Sequence, residues 1–276
     1  MATTQNAASP KKSQGFQGIR AAIWVIVVCL IIAICIYKFL LGNPENFAGN
    51  DPAGHPTNLL GTIYKGGIIV PIIQTLLLTV IALSIERWLA LRTAFGKGSL
   101  AKFVQNVKAA VAKGDFNAAQ NICDKQRGSV ANVVSASIRA YKEMESASGL
   151  KKAQKVAKIQ QAHEEATQLE MPTLQMNLPI LATIVTLGTL TGLLGTVIGM
   201  IRSFQALAAG GGGDSLALST GISEALINTA FGILTSWCSV IAYNTFTNKI
   251  DKLTYALDEV GYTIAQTYEA NHTEEA

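Results

Sequence analysis

Four stretches of this 276-residue sequence are long, apolar and almost free of charge. Ala21–Tyr37 runs 17 residues without a charge, and the apolar run continues past Lys38 to Leu41. Gly66–Ile85 runs 20 and Leu174–Ile201 runs 28, while Ser215–Asn248 runs 34 with only Glu224 as interruption. A helix rising ~1.5 Å per residue needs about 20 apolar residues to cross a hydrocarbon core of about 30 Å. The runs therefore predict four spanning helices, at 20–41, 66–90, 176–202 and 216–247. No segment alternates apolar and polar residues as a membrane barrel would. Charged residues make up 14% of the chain, against about 25% in soluble domains, so an ordinary water-soluble enzyme is excluded.

A signal peptide is the alternative for the first run. Its apolar core exceeds the usual ~7–15 residues and no small-x-small site follows, so a retained anchor is expected. Orientation follows from Lys and Arg. The tail 1–19, with Lys11 and Lys12 and with Arg20 just beyond it, carries no acid and is expected in the cytoplasm. The loop 42–65 has Glu45 and Asp51 and no base before its terminal Lys65, which fits the periplasm. Residues 86–170 hold 14 basic and 8 acidic residues, so the helical region 91–175 belongs inside. The hairpin 203–215, with Gly210–Gly213 and Asp214, returns outside, and the tail 248–276 ends inside. The net charge of +4 is thus a topology signal. No basic-aromatic motif suggests nucleic acid.

Cys29, Cys35, Cys123 and Cys238 form no CxxC or Cys/His pattern, so neither zinc nor disulfides are expected. His55, His163 and His272 are scattered and are read as neither ligands nor bases. In 91–175, Leu100, Phe103, Val104, Val107 and Val111 recur at helical spacing. Asp115 is placed to cap a following helix, and Gly128-Ser129 opens another. From Lys151 a long helix is expected to run toward the membrane, with Val156, Ile159, Ala166 and Leu169 on one side. Pro172 and Pro179 suggest a kink at its entry. The basic residues here read as a solvated, positive-inside face, with anionic lipid binding as the alternative. No phosphate loop, nucleophile elbow, nucleophile-base pair or metal-binding His/Glu pair is present, so neither an enzyme nor a cofactor is expected.

The last two spans hold the informative chemistry. Gly188, Gly192, Gly195 and Gly199 fall within about 60° of a helical wheel, which lets another backbone approach closely. A subunit interface and packing within the chain both fit this strip. Glu224 lies ten residues past Asp214, on the order of 10–15 Å into the last run. A charged carboxylate on a lone helix at mid-membrane costs at least ~2.5 kcal/mol, so such residues face a bundle interior or a water path. Thr220, Asn228 and Thr235 share its face. Gly221, Ala225, Thr229, Gly232 and Ser236 form an adjacent strip of small residues. A polar face beside a packing face is what a pore-lining helix in a ring requires. If the helix begins nearer Gly221, Glu224 would instead only stabilise its N-terminus.

Gly192-Leu-Leu-Gly-Thr-Val-Ile-Gly-Met200 and Gly221-Ile-Ser-Glu-Ala-Leu-Ile-Asn-Thr-Ala-Phe-Gly232 resemble signatures of the MotA/TolQ/ExbB proton channel family, most closely its ExbB members. Tyr243-Asn244 also fits. The resemblance covers about 60–276. It implies an all-α polytopic protein with long helices extending into the cytoplasm, assembled as a homopentameric ring in the bacterial inner membrane. Its pore would hold an ExbD-like single-span partner, and the proton motive force would drive movement that energises a TonB-like protein. By resemblance, Glu224 takes the place of the pore glutamate, and Thr196 and Thr229 those of the pore threonines. The wheel alone puts Thr229 about 140° from Glu224. Two departures stand out: the extra span 20–41, and Trp237-Cys238-Ser239 where the family often has proline.

The expected ion pathway is Glu224, Thr196, Thr229, Asn228 and Thr220, with Gly188, Gly192, Gly195, Gly199, Gly221 and Gly232 as packing positions. A TolQ-like envelope role, a gliding-type stator and sodium coupling share these motifs. A passive membrane scaffold is the alternative of another class, but it needs no intramembrane carboxylate.

Overall fold

The computed structural model describes residues 22–52, 54–209 and 215–272. The described residues are almost entirely helical, and their one β-bridge joins Phe47 to Pro56. Four stretches are long and apolar enough to cross a membrane: residues 22–41, α3 (Ile69–Ala94), α8 (Leu178–Ala209) and the first part of α9 (Ser215–Asn271). Two compact units emerge, and the apolar runs segregate into one of them.

The apolar unit holds residues 22–86 and 177–246. Its first helix, α1 (Ala22–Cys35), runs into π-helical Ile36–Leu41. Only small residues of α1, Ala22, Cys29 and Ala33, turn inward, while Ile23, Trp24 and Ile31 stay exposed. That pattern suits a lipid-facing helix packed along one narrow seam. Leu41, Ile63 and Val70 form a buried cluster with Tyr37, Tyr64, Ile227 and Phe231 around it. Helix α2 (Leu59–Lys65) starts where the Asn58 side chain accepts from the Gly61 amide at 2.9 Å. Within α3, the hydroxyls of Thr75, Thr79 and Ser84 donate to carbonyls one turn back, which satisfies them locally.

The polar unit holds residues 87–176 and 247–272. Its helices are α4 (Leu100–Ala112), α5 (Phe116–Gln126), α6 (Gly128–Ser146), α7 (Lys152–Gln175) and the end of α9. Phe103, Val104, Val107 and Val111 are buried, as their spacing predicts. Asp115 caps α5 by accepting from the Ala118 amide at 2.8 Å. Gly128, at φ +84°, lies so close to the Thr93 and Ala94 carbonyls that a Cβ would sit 2.7 and 2.5 Å from them. Tyr268 on α9 packs edge-on to Tyr141 at 4.9 Å and donates to the Met144 carbonyl at 3.1 Å. Lys108 pairs with Glu259 at 2.7 Å.

One expectation is sharpened here and another changes. Pro172 stays inside α7 and Pro179 sits in the first turn of α8, where a missing N–H costs nothing. The break falls between them, where Met176 is extended and Asn177 takes φ +65°. The fully buried Arg87 donates to the Thr173 and Leu174 carbonyls at 3.2 and 3.4 Å, capping the end of α7. Leu169 is 74% exposed, unlike Ile159, because it lies about 80° around the helix from it. The buried stripe of α7 instead runs through Ile159, His163 and Leu174.

Candidate functional site

The site begins with the glycines of α8 and α9. A Cβ on Gly188 would lie 3.0 Å from the Gly232 carbonyl oxygen, and one on Gly192 would lie 3.0 Å from the Gly232 Cα. On Gly195 it would meet the Asn228 Cβ at 2.6 Å, and on Gly199 the Ala225 Cβ at 2.7 Å. Gly221 meets Ser203 in the same way. Each step down one helix is a step up the other, so the two helices pack antiparallel with backbones nearly touching. The glycine strip is thus occupied within the chain.

Close approach brings polar groups together across the seam. The hydroxyls of Thr196 and Thr229 hydrogen-bond to each other, and both reach the Gly192 carbonyl, at 3.3 and 3.1 Å. Thr189 donates to the Ser236 hydroxyl at 2.8 Å. Thr235, fully buried, donates to its own helix at the Phe231 carbonyl. Asn228 is 2% exposed, and its Nδ2 donates to the Gly66 carbonyl at 3.1 Å while its Oδ1 has no hydrogen-bond partner.

Glu224 is half-buried and lines a cavity of about 280 Å³. Asn228, Gly195, Gly199, Ser203, Arg202, Lys65 and His55 share its walls. Because α9 already begins at Ser215, Glu224 lies nine residues, or ~14 Å, along the helix and not in its first turn. An N-terminal capping role therefore does not describe it. The cavity gathers Glu224 and Asn228, with the Thr196–Thr229 pair one to two turns along the same seam. The side chain of Thr220 lies outside the described residues, as do Gly210–Gly213 and Asp214.

Three lining residues with basic side chains were not singled out from the sequence. Arg202 was legible in principle, since it stands seven residues after Gly195 and so on the glycine face. Lys65 read only as the flank of a span. His55 carried no local signal, because its position depends on how the loop 42–58 folds back. A further correction concerns the polar unit. Ser137 Oγ and His163 Nδ1 meet at 2.9 Å, although the sequence suggested no hydroxyl–imidazole pair. Both residues are buried, and burial lowers the His163 pKa below its ordinary value despite Asp258 and Glu164 nearby. Burial likewise pushes the Cys123 thiol up to about 12, which leaves it unreactive. Among the described residues no His, Cys, Asp and Glu cluster could hold a metal ion.

A family profile described as the MotA/TolQ/ExbB proton channel family matches residues 129–259. The protein named biopolymer transport protein ExbB-like 3 from Synechocystis sp. is 37% identical over 87 residues, which is 31% of this chain and 41% of that one. The Tol-Pal system protein TolQ from Pseudomonas aeruginosa is 28% identical over 224 residues, 78% of this chain and 92% of that one. The biopolymer transport protein ExbB from Helicobacter pylori is 39% identical over 80 residues, 29% of this chain and 55% of that one. The chain thus spans less than two thirds of these two ExbB-named relatives and nearly all of this TolQ.

Proposed function

We propose that this chain, which belongs to the MotA/TolQ/ExbB proton channel family, is the pore-forming subunit of an inner-membrane motor driven by the proton motive force. The observation that carries this reading is Glu224, a carboxylate inside an apolar helix, on a cavity beside a buried amide and a threonine pair. A membrane helix tolerates such a group where it lines an ion route. Glu224 takes up and releases the proton. Asn228, Thr196, Thr229 and Thr220 supply hydroxyl and amide groups along the route. No enzymatic step is needed, and the family's transport role argues against one.

In this reading the chain is multi-pass with a cytoplasmic N-terminus. Residues 42–65 and 203–215 lie on the periplasmic side, and 91–175 and 248–276 in the cytoplasm. Lys and Arg density supports that assignment. Copies of the chain assemble as a ring, five by family resemblance, in contact with membrane lipid. An ExbD-like single-span subunit sits inside, and a TonB-like protein receives the work for outer-membrane import.

The test is Glu224→Gln and Glu224→Ala, expressed with the partner gene in cells lacking the native copies. Energised outer-membrane uptake is expected to fall more than tenfold, on the order of losing one proton-transfer group. Undiminished uptake together with unchanged detergent sensitivity would remove the carboxylate from the ion path. The long TolQ alignment favours a second reading, an envelope-integrity motor. There the same substitutions raise sensitivity to detergents and leave uptake intact.

A further inference from the structure

The matched stretch 129–259 contains Glu224 but not the loop that helps to wall its cavity. Gly54, His55 and Pro56 of that loop line the cavity, together with Lys65, Gly66, Ile68 and Ile69. The loop's described residues are joined by a set of hydrogen bonds. The Ala48 amide donates to the His55 carbonyl at 2.9 Å, and the Thr57 amide to the Asn46 carbonyl at 2.9 Å. Asn46 Nδ2 reaches back to the Leu40 and Leu41 carbonyls at 2.9 and 3.0 Å, and Asn58 Nδ2 donates to Asn46 Oδ1 at 2.9 Å. The loop is thereby tied at one end to the close of the first span and at the other to the cap of α2.

The geometry points to His55 as the group that exchanges protons between solvent and the Glu224 cavity. This inference rests on the proposed proton path through Glu224. His55 is exposed to solvent on one side and lines the cavity on the other. An imidazole ring can accept a proton at one nitrogen and release one from the other, which suits it to a relay between two sides. A cavity of about 280 Å³ has room for several waters. The unpartnered Oδ1 of Asn228, in a side chain 2% exposed, gives such water an acceptor deep inside. The His55 imidazolium gives its N–H proton to a cavity water, and that water passes a proton to the Glu224 carboxylate. Neutral His55 is then reprotonated from solvent. The charged residues that line the cavity are Lys65 at the end of α2, Arg202 on α8 and Glu224 on α9, while Glu45 and Asp51 stand elsewhere on the loop. Lys65 and Arg202 oppose entry of a metal cation, whereas a proton needs only the relay.

The experiment follows the carboxylic acid carbonyl stretch of Glu224 by infrared absorption after a rapid drop in pH. It uses the full chain in lipid nanodiscs, with Glu224→Gln identifying the band. His55→Ala and His55→Gln are expected to slow protonation at least about tenfold, within the range of a lost proton-transfer group. Added imidazole restores the rate, which a merely structural role for His55 would not allow. Wild-type rates in both variants, or slow rates that imidazole leaves unchanged, overturn the role of His55. If no band titrates in the wild-type chain, the Glu224 path itself fails, and the two failures are told apart.

Discussion

Asn228 shows how a single residue separates stability from function in the apolar unit. Its Nδ2 anchors Gly66, while its buried Oδ1 is unpartnered within the protein. An unsatisfied buried acceptor costs about 1–3 kcal/mol and an ordinary hydrogen bond returns about 1 kcal/mol. Asn228→Ala is therefore expected to change stability by no more than about 2 kcal/mol, because the two effects oppose each other, read as thermal unfolding in detergent. Proton exchange at Glu224 should nevertheless slow, because the cavity loses its innermost polar wall. A large loss of stability with unchanged exchange would make Asn228 a packing residue. His163 gives a prediction of another kind. Its folded pKa lies below the unfolded value near 6.5, because burial penalises the charged ring. The unfolded chain then binds more protons as pH falls through 6.5. Stability is fully present above that pH and declines below it, by at most about 1.4 kcal/mol per pH unit. Unfolding temperature should drop from pH 7 to pH 5 in the wild-type chain, with a flatter profile in His163→Gln. Equal slopes would assign the pH dependence to other groups.

At the scale of elements, the α8–α9 seam depends on the absence of side chains. Gly192 faces the Asn228 carbonyl oxygen, the Thr229 Cα and the Gly232 Cα, all backbone that has no rotamer by which to yield. Gly192→Ala is expected to cost about 1–3 kcal/mol through overpacking, and Gly192→Val more, with the Thr196–Thr229 bond broken as the helices part. Unfolding in detergent measures the cost. A neutral Gly192→Val would mean the seam is looser than its contacts. The break between α7 and α8 makes a complementary case. Asn177 takes φ +65°, a conformation costing most residues roughly 1–2 kcal/mol and glycine little, and donates to Glu86 at 3.2 Å. Asn177→Ala should therefore destabilise more than Asn177→Gly. These two elements also show what the sequence could reveal. The glycine strip was legible because helical spacing alone aligns 188, 192, 195 and 199. The place of the break was legible from Pro172 and Pro179, which flank it, but its mechanism was not, since neither proline sits at the turn itself. Asn177 announces its left-handed turn only through its neighbours. The loop over Glu224 and the Ser137–His163 pair were equally hidden, because each joins segments remote in sequence through folding alone.

At the scale of the whole molecule, the assembly must decide which apolar faces meet lipid and which meet another copy. On α1, Ile23, Trp24 and Ile31 are exposed while only small residues turn inward. On α9, Leu226, Ile233, Trp237 and Ile241 are also exposed, and they lie within about 80° of one helical face. This second face belongs to the helix that carries Glu224. If that helix lines a ring, its apolar side must abut the neighbouring subunit, whereas α1, the addition to the family pattern, is free to lie outside. The chain has three tryptophans, Trp24, Trp88 and Trp237, so single-tryptophan versions can be made. In liposomes of brominated lipid, Trp24 fluorescence should be strongly quenched whether or not the ring has formed. Trp237, 61% exposed in the single chain, should be quenched in dispersed protein and shielded once the complex assembles. Equal quenching of both tryptophans in the assembled complex would place the Trp237 face of α9 against lipid and remove it from the interface between subunits. Shielding of Trp237 that survives Glu224→Gln would separate assembly from ion transfer, as expected if packing builds the ring and the carboxylate only works within it.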